Sequence, residues 1–113
     1  MLKKLQALLS GALVVSLCAA SMPAAAVDST PSGKITTIEV AAATNYAFRV
    51  YLNGGGTALC PSGSGFAYLN EADSNYKVYV ASLLMAKVQG STVTLVLANE
   101  SGFCHIVQMA VGS

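Results

Sequence analysis

Charge is scarce in this chain. Asp, Glu, Lys and Arg together make up 10% of its 113 residues, and there is one histidine. A lone histidine excludes a zinc centre, which needs three or four ligands, and no cofactor is expected. No basic cluster occurs, so nucleic acid is excluded as a partner. Beyond the first 26 residues no apolar run is long enough to span a bilayer. Repeats of supersecondary size and low-complexity tracts are lacking. So are catalytic motifs. Gly54-Gly55-Gly56 has neither a helix nor a Lys-Ser/Thr pair behind it, so it is no phosphate loop.

What the chain does have begins at its start. Lys3 and Lys4 precede an apolar run from Leu5 to Ala20, and small residues follow at Ala24 and Ala26. Residues 1–26 read as a secretory signal peptide cut between Ala26 and Val27. The run is shorter than the ~20 residues of a spanning helix. Lipid attachment at Cys18 is the minor alternative, and Leu17 stands where a small residue would be wanted. Residues 27–113 then form a single small domain, secreted or periplasmic, with no membrane contact once the leader is gone. Its four cations (Lys34, Arg49, Lys77, Lys87) face five carboxylates (Asp28, Glu39, Glu71, Asp73, Glu100), a net charge of −1.

Export fixes the reading of the cysteines. Cys60 and Cys104 are the two left after the leader. In an oxidising compartment, and in a domain too small for a large core, they are expected to form a disulfide. A thiol nucleophile or a metal pair is the competing reading.

The element order follows from periodicity. Residues 34–42 are rich in β-branched side chains, and their apolar spacing slips near Thr36-Thr37, as a bulge would require. Residues 46–53 alternate cleanly, with Tyr46, Phe48, Val50 and Leu52 on one face and Arg49 and Tyr51 on the other. A short return strand is expected at 57–60, a loop at 61–65 and another short strand at 66–69. The period then becomes helical from Asn75 to Gln89, with Asp73, Ser74 or Asn75 as cap and Gly90 as stop. This helix is apolar over much of its circumference and should be largely buried. Strands at 92–98 and 103–111 form a hairpin about Asn99-Glu100-Ser101-Gly102. The expected fold class is α+β: a small curled antiparallel sheet of five or six strands, an OB-like partly closed barrel, around one buried helix with one disulfide.

Four sets of residues are candidates for chemistry. His105 follows Cys104, yet neighbours on a strand point to opposite faces, which separates a Cys-His dyad. Glu71 and Asp73 could serve a hydrolase, or simply place charge near a helix start. Asn99-Glu100-Ser101 matches a three-residue glycosylation sequon. Arg49 and Tyr51, side by side on the less apolar face of their strand, suit stacking on a sugar or a partner protein.

The arrangement resembles two groups. One is a set of small secreted bacterial proteins of unknown function, which share the opening Gly33-Lys34-Ile35-Thr36-Thr37-Ile38 and the run Leu83-Leu84-Met85-Ala86-Lys87 before Gly90. The other is the glycan-binding B subunit of subtilase-type AB5 toxins, an OB-fold that assembles as a ring. That second resemblance implies a glycan contact at Ser32, which opens the first strand with Gly33, and a role for Asp28 four residues earlier. A tyrosine that the toxin family uses after the helix falls here on Leu97. The implied function is a non-catalytic secreted binding or assembly module, with a glycan or protein partner and a homo-oligomeric state. A periplasmic stress or inhibitor protein and a small hydrolase are the alternatives.

Overall fold

A computed structural model describes residues 26–112. The signal peptide read over residues 1–26 lies, Ala26 apart, outside the described residues. The elements run β1 (Ser32–Val40), β2 (Phe48–Leu52), β3 (Ala67–Leu69), α1 (Tyr76–Gln89), β4 (Thr92–Glu100) and β5 (Phe103–Gly112).

The five strands form one mixed sheet in the order β1-β2-β3-β5-β4, and β4 pairs back onto β1. The bulge on β1 makes this possible. Register slips between Ile35 and Thr37, as the spacing implied. Ser32 to Lys34 pair with β4, while Ile35 and the residues after the slip pair with β2, so one bent strand serves two neighbours. The hydroxyl of the extra residue, Thr36, donates to the Tyr51 carbonyl and accepts from the Gly54 amide, which anchors the glycine turn after β2.

Two expectations about the sheet are corrected. It is not purely antiparallel, because β3 runs parallel to β5, with Ala67 opposite Cys104 and Tyr68 opposite His105. The chain enters β3 from the 57–65 loop and β5 from the last hairpin, and both run the same way. Residues 57–60 form no strand either. Leu59 N–H bonds to the Ser64 carbonyl and closes a loop instead.

β4 and β5 are joined by a two-residue turn. Ser101 and Gly102 both take positive φ, 56° and 87°, the twist that a tight hairpin needs. A second register shift lies between Val96 and Leu97, opposite Val107. It switches the inward face of β5, so that Cys104 and Ile106 are buried before it and Met109 packs on the core after it. The Val107 carbonyl accepts the Tyr79 hydroxyl from α1 at 3.0 Å.

The interior of the ring holds Phe48, Val50, Leu52, Leu69, Leu95 and Leu97. No buried polar or charged residue occurs among the described residues, so the inside offers packing and no chemistry. Helix α1 ends in a left-handed Gly90, with Ser91 N–H bonded to the Ala86 carbonyl and Gly90 N–H to that of Lys87. Its N-cap residue, Asn75, makes no side-chain cap bond. The expected burial of this helix is corrected. Only Leu83 and Ala86 are buried, while Val78, Met85 and Val88 are 64%, 61% and 86% exposed. Packing chiefly on β1 and β5, the helix can cover only one narrow stripe of itself.

Candidate binding ledge on the outer face

Strand alternation builds the site. With Phe48, Val50 and Leu52 turned inward, Arg49 and Tyr51 stand on the outer face of β2. β3 adds Tyr68, Phe66 stands immediately before that strand, and β5 adds Phe103 and His105. Tyr46 completes the set from the loop before β2. The clean alternation read over 46–53 begins only at Phe48, because Tyr46 takes a left-handed φ of 58°. Its N–H is held by the Asn70 side-chain oxygen at 2.9 Å, and its ring lies edge-on to Tyr68 at 4.6 Å.

The rings form one unbroken run. Tyr51 meets Phe66 at 5.9 Å, Phe66 meets Phe103 at 5.8 Å, and Phe103 meets Tyr46 at 4.8 Å. From Tyr46 the run continues through Tyr68 to His105, whose ring stacks on Tyr68 at 4.8 Å and 8°. The Arg49 guanidinium sits 5.1 Å above Phe66, a cation–π contact. Its Nε donates to the Tyr46 carbonyl at 2.7 Å, and Nη1 donates to Glu39 at 3.1 Å. The Tyr51 hydroxyl donates to the same Glu39 oxygen at 3.2 Å. Burial, and then that bond and the carboxylate charge, push the Tyr51 phenol up from its ordinary range. Arg49 is thus fixed in place by three contacts, with fixed donors beside a ring. Phe103 is the exposed end, at 37%.

His105 closes the other end of the run. Its Nε2 lies 2.7 Å from Asp73 and its Nδ1 2.6 Å from Glu100. Asp73 also accepts the Asn70 N–H at 2.8 Å. Burial by itself would lower the imidazole pKa. The hydrogen bonds and charges of the two carboxylates outweigh it and hold the pKa above its ordinary value. Asp73 therefore serves His105, and the first turn of α1 carries no acidic residue. The charge expected near the helix start is Asp73 itself, in the loop just before α1, where its carbonyl accepts the Tyr76 N–H. Glu71 is exposed in the loop before the helix, where its N–H bonds to the Thr44 carbonyl.

Cys104, one residue earlier, faces inward and is bonded to Cys60 with 5.8 Å between Cα atoms. The loop 61–65 is held against β5 as expected: Ser64 Oγ accepts the Cys104 N–H at 3.2 Å. Gly63 is pressed against the bridge. A Cβ there would run into both sulfur atoms, so no larger residue fits.

The remaining candidates lie elsewhere. Asp28 donates its N–H to the Leu97 carbonyl, and its carboxylate accepts the Asn99 N–H at 2.6 Å, which ties the lead-in segment to β4. Ser32 opens β1, and its hydroxyl shares a 2.7 Å hydrogen bond with Thr94. Among the described residues, no hydrogen bond, ion pair or ring contact joins Asp28 or Ser32 to Arg49 and Tyr51. Leu97 is wholly buried and has no surface to offer a ligand. The Asn99 amide of the sequon is committed on both sides, donating to Pro61 and accepting from Gly102. Grooves flank the start of α1, one of about 260 Å³ lined by Val78, Tyr79, Ser82 and Met109. Among the described residues, no group of three or more potential metal ligands converges.

Phe66, Phe103, Tyr46 and Tyr68 were not singled out as a group in the sequence. The usable signal was an aromatic beside each of three strand starts. It becomes a site only when β3 and β5 are known to be neighbours. No family model, curated protein or solved structure matches this chain.

Proposed function

We propose that the chain is a secreted, non-catalytic binding and assembly module on an OB-type barrel, and that the ledge binds uncharged carbohydrate. The observation that carries this reading is the unbroken ring run with a fixed arginine beside it. The strand order, the parallel β3–β5 pair and the helix between β3 and β4 agree with an OB barrel. Such barrels take oligonucleotides and oligosaccharides on strands 2 and 3 and on the loops between strands 1–2 and 4–5. Tyr46 comes from the first of those loops, and Phe103 directly follows the second. A sugar's C–H face packs on an aromatic face, and its hydroxyls match the donors of Arg49 and the oxygens of Glu39. The domain's net charge of −1 favours sugar over nucleic acid. The likeness to toxin B subunits points the same way, although the residues it marks, Asp28 and Ser32, lie outside the ledge.

Secretion is supported by the leader and by the disulfide. Assembly is supported by the open apolar stripe of α1, where Val78, Met85 and Val88 would meet a second copy. The hydrolase reading gains Asp73 beside His105, but both ring nitrogens already face carboxylates and neither is free to take a proton from a nucleophile. Binding of neutral di- to tetrasaccharides, read by calorimetry, tests the proposal. Phe103→Ala and Tyr51→Ala should each weaken binding about tenfold or more, the worth of one stacked ring. Unchanged binding in both would reject the ledge. Binding to no saccharide would turn attention to a protein partner, as the inhibitor reading holds.

A further inference from the structure

We propose that His105 is a pH-operated clasp on the hairpin tip that carries Phe103, and that the proton on its ring sets the shape of the ledge. The ligand half of this inference rests on the proposed function; the clasp itself does not. With both nitrogens protonated, His105 donates one N–H to Asp73 and one to Glu100. A neutral imidazole has a single N–H. One carboxylate must then face a ring lone pair at hydrogen-bonding distance, and that contact opens.

The surroundings decide which contact goes. The Asp73 side chain is 18% exposed and is also held by the Asn70 N–H. The Glu100 side chain is 52% exposed and is readily solvated. Glu100 is therefore released. It is the cross-strand partner of Phe103 across the Ser101-Gly102 turn, so its release frees the tip at the exposed end of the ring run. The groups facing His105 are few. Asp73 comes from the loop before α1, Glu100 from β4, Tyr68 from β3 and Tyr79 from α1. Burial pushes the Tyr68 phenol well above its ordinary range, and the Tyr79 hydroxyl is committed to the Val107 carbonyl. An imidazole is the side chain whose ordinary range falls near neutral pH, which places the switch on His105.

Two readouts test this on the disulfide-bonded protein. The first is an NMR titration of the His105 ring with the Gly102 and Phe103 amides, in the wild type and in Glu100→Gln. The amides should move with the midpoint of the ring. In Glu100→Gln the ring midpoint should fall to lower pH and the amides should stay flat, because an amide side chain can face either form of the ring. The second is affinity for the same neutral saccharides across the titration. Above the midpoint it should weaken about two- to fivefold, the worth of one solvent-exposed charge pair. Amides that ignore the ring, or that respond equally in Glu100→Gln, overturn the clasp. If no saccharide binds, the sugar reading fails, and the amide titration still decides the clasp.

Discussion

Cys104 and His105 are neighbours on β5, and each ties that strand to a distant loop. Cys104 points inward and holds Cys60 by a covalent bond in the core. His105 points outward and holds Asp73 and Glu100 by charge-assisted hydrogen bonds at the surface. Alternation along a strand is what lets two adjacent residues staple opposite sides. The two staples differ in kind. The inner one constrains the unfolded chain, is indifferent to pH and fails only on reduction. The outer one acts on the folded state and can be opened by loss of a single proton. A small domain with little charge thus separates a permanent fastening from an adjustable one.

The largest effect should come from the inner staple. The bridge closes 44 residues, worth about 4 kcal/mol in the chain-entropy model. Replacing both cysteines by alanine should lower the melting temperature by on the order of 20 °C for a domain of this size. A fall of only a few degrees would mean that the packing alone holds the 61–65 loop. Gly63→Ala comes next. Its methyl group must displace the sulfurs or the loop, at a cost of about 1–3 kcal/mol in urea denaturation, and the effect should shrink when the cysteines are already alanine.

The outer staple should be smaller and dependent on pH. The folded imidazole holds its proton more tightly than the unfolded one, whose pKa is about 6.5. Its contribution is therefore fully present below about pH 6.5 and is lost as pH rises through the folded value. Denaturation midpoints of the wild type should fall over that window, and His105→Gln should flatten the fall. An identical slope in the variant would remove His105 as its source. Smallest of all is the helix stripe. Met85 is 61% exposed, so Met85→Ser should alter monomer stability by less than about 0.5 kcal/mol while abolishing, in sedimentation, the self-association proposed for this stripe. A large loss of stability would show that the stripe is packed within the monomer.

The two staples also mark how far the sequence could be read. The inner one was legible: the expectation of a leader, the two remaining cysteines and a small domain lead to a disulfide without any structure. The bulge at Thr36, the faces of β2 and the last hairpin were equally legible, because local spacing encodes them. The outer staple was not. Asp73 and His105 are 32 residues apart, and nothing local says that their loops meet. Phe66 and Phe103 become neighbours only through the parallel β3–β5 pair, whose order in space no periodicity reveals. The helix misled for a related reason. Its composition reports which residues are apolar and not how much of the sheet is available to cover them.

The claim on which the functional account stands is that the ledge, and not the helix, meets a small ligand. Amide and side-chain NMR shifts under titration with neutral oligosaccharides test it most directly. The account expects changes centred on Tyr46, Arg49, Tyr51, Phe66 and Phe103, with Val78, Met85 and Val88 unmoved. Changes confined to the helix and its flanking grooves, or no changes at millimolar sugar, would contradict it.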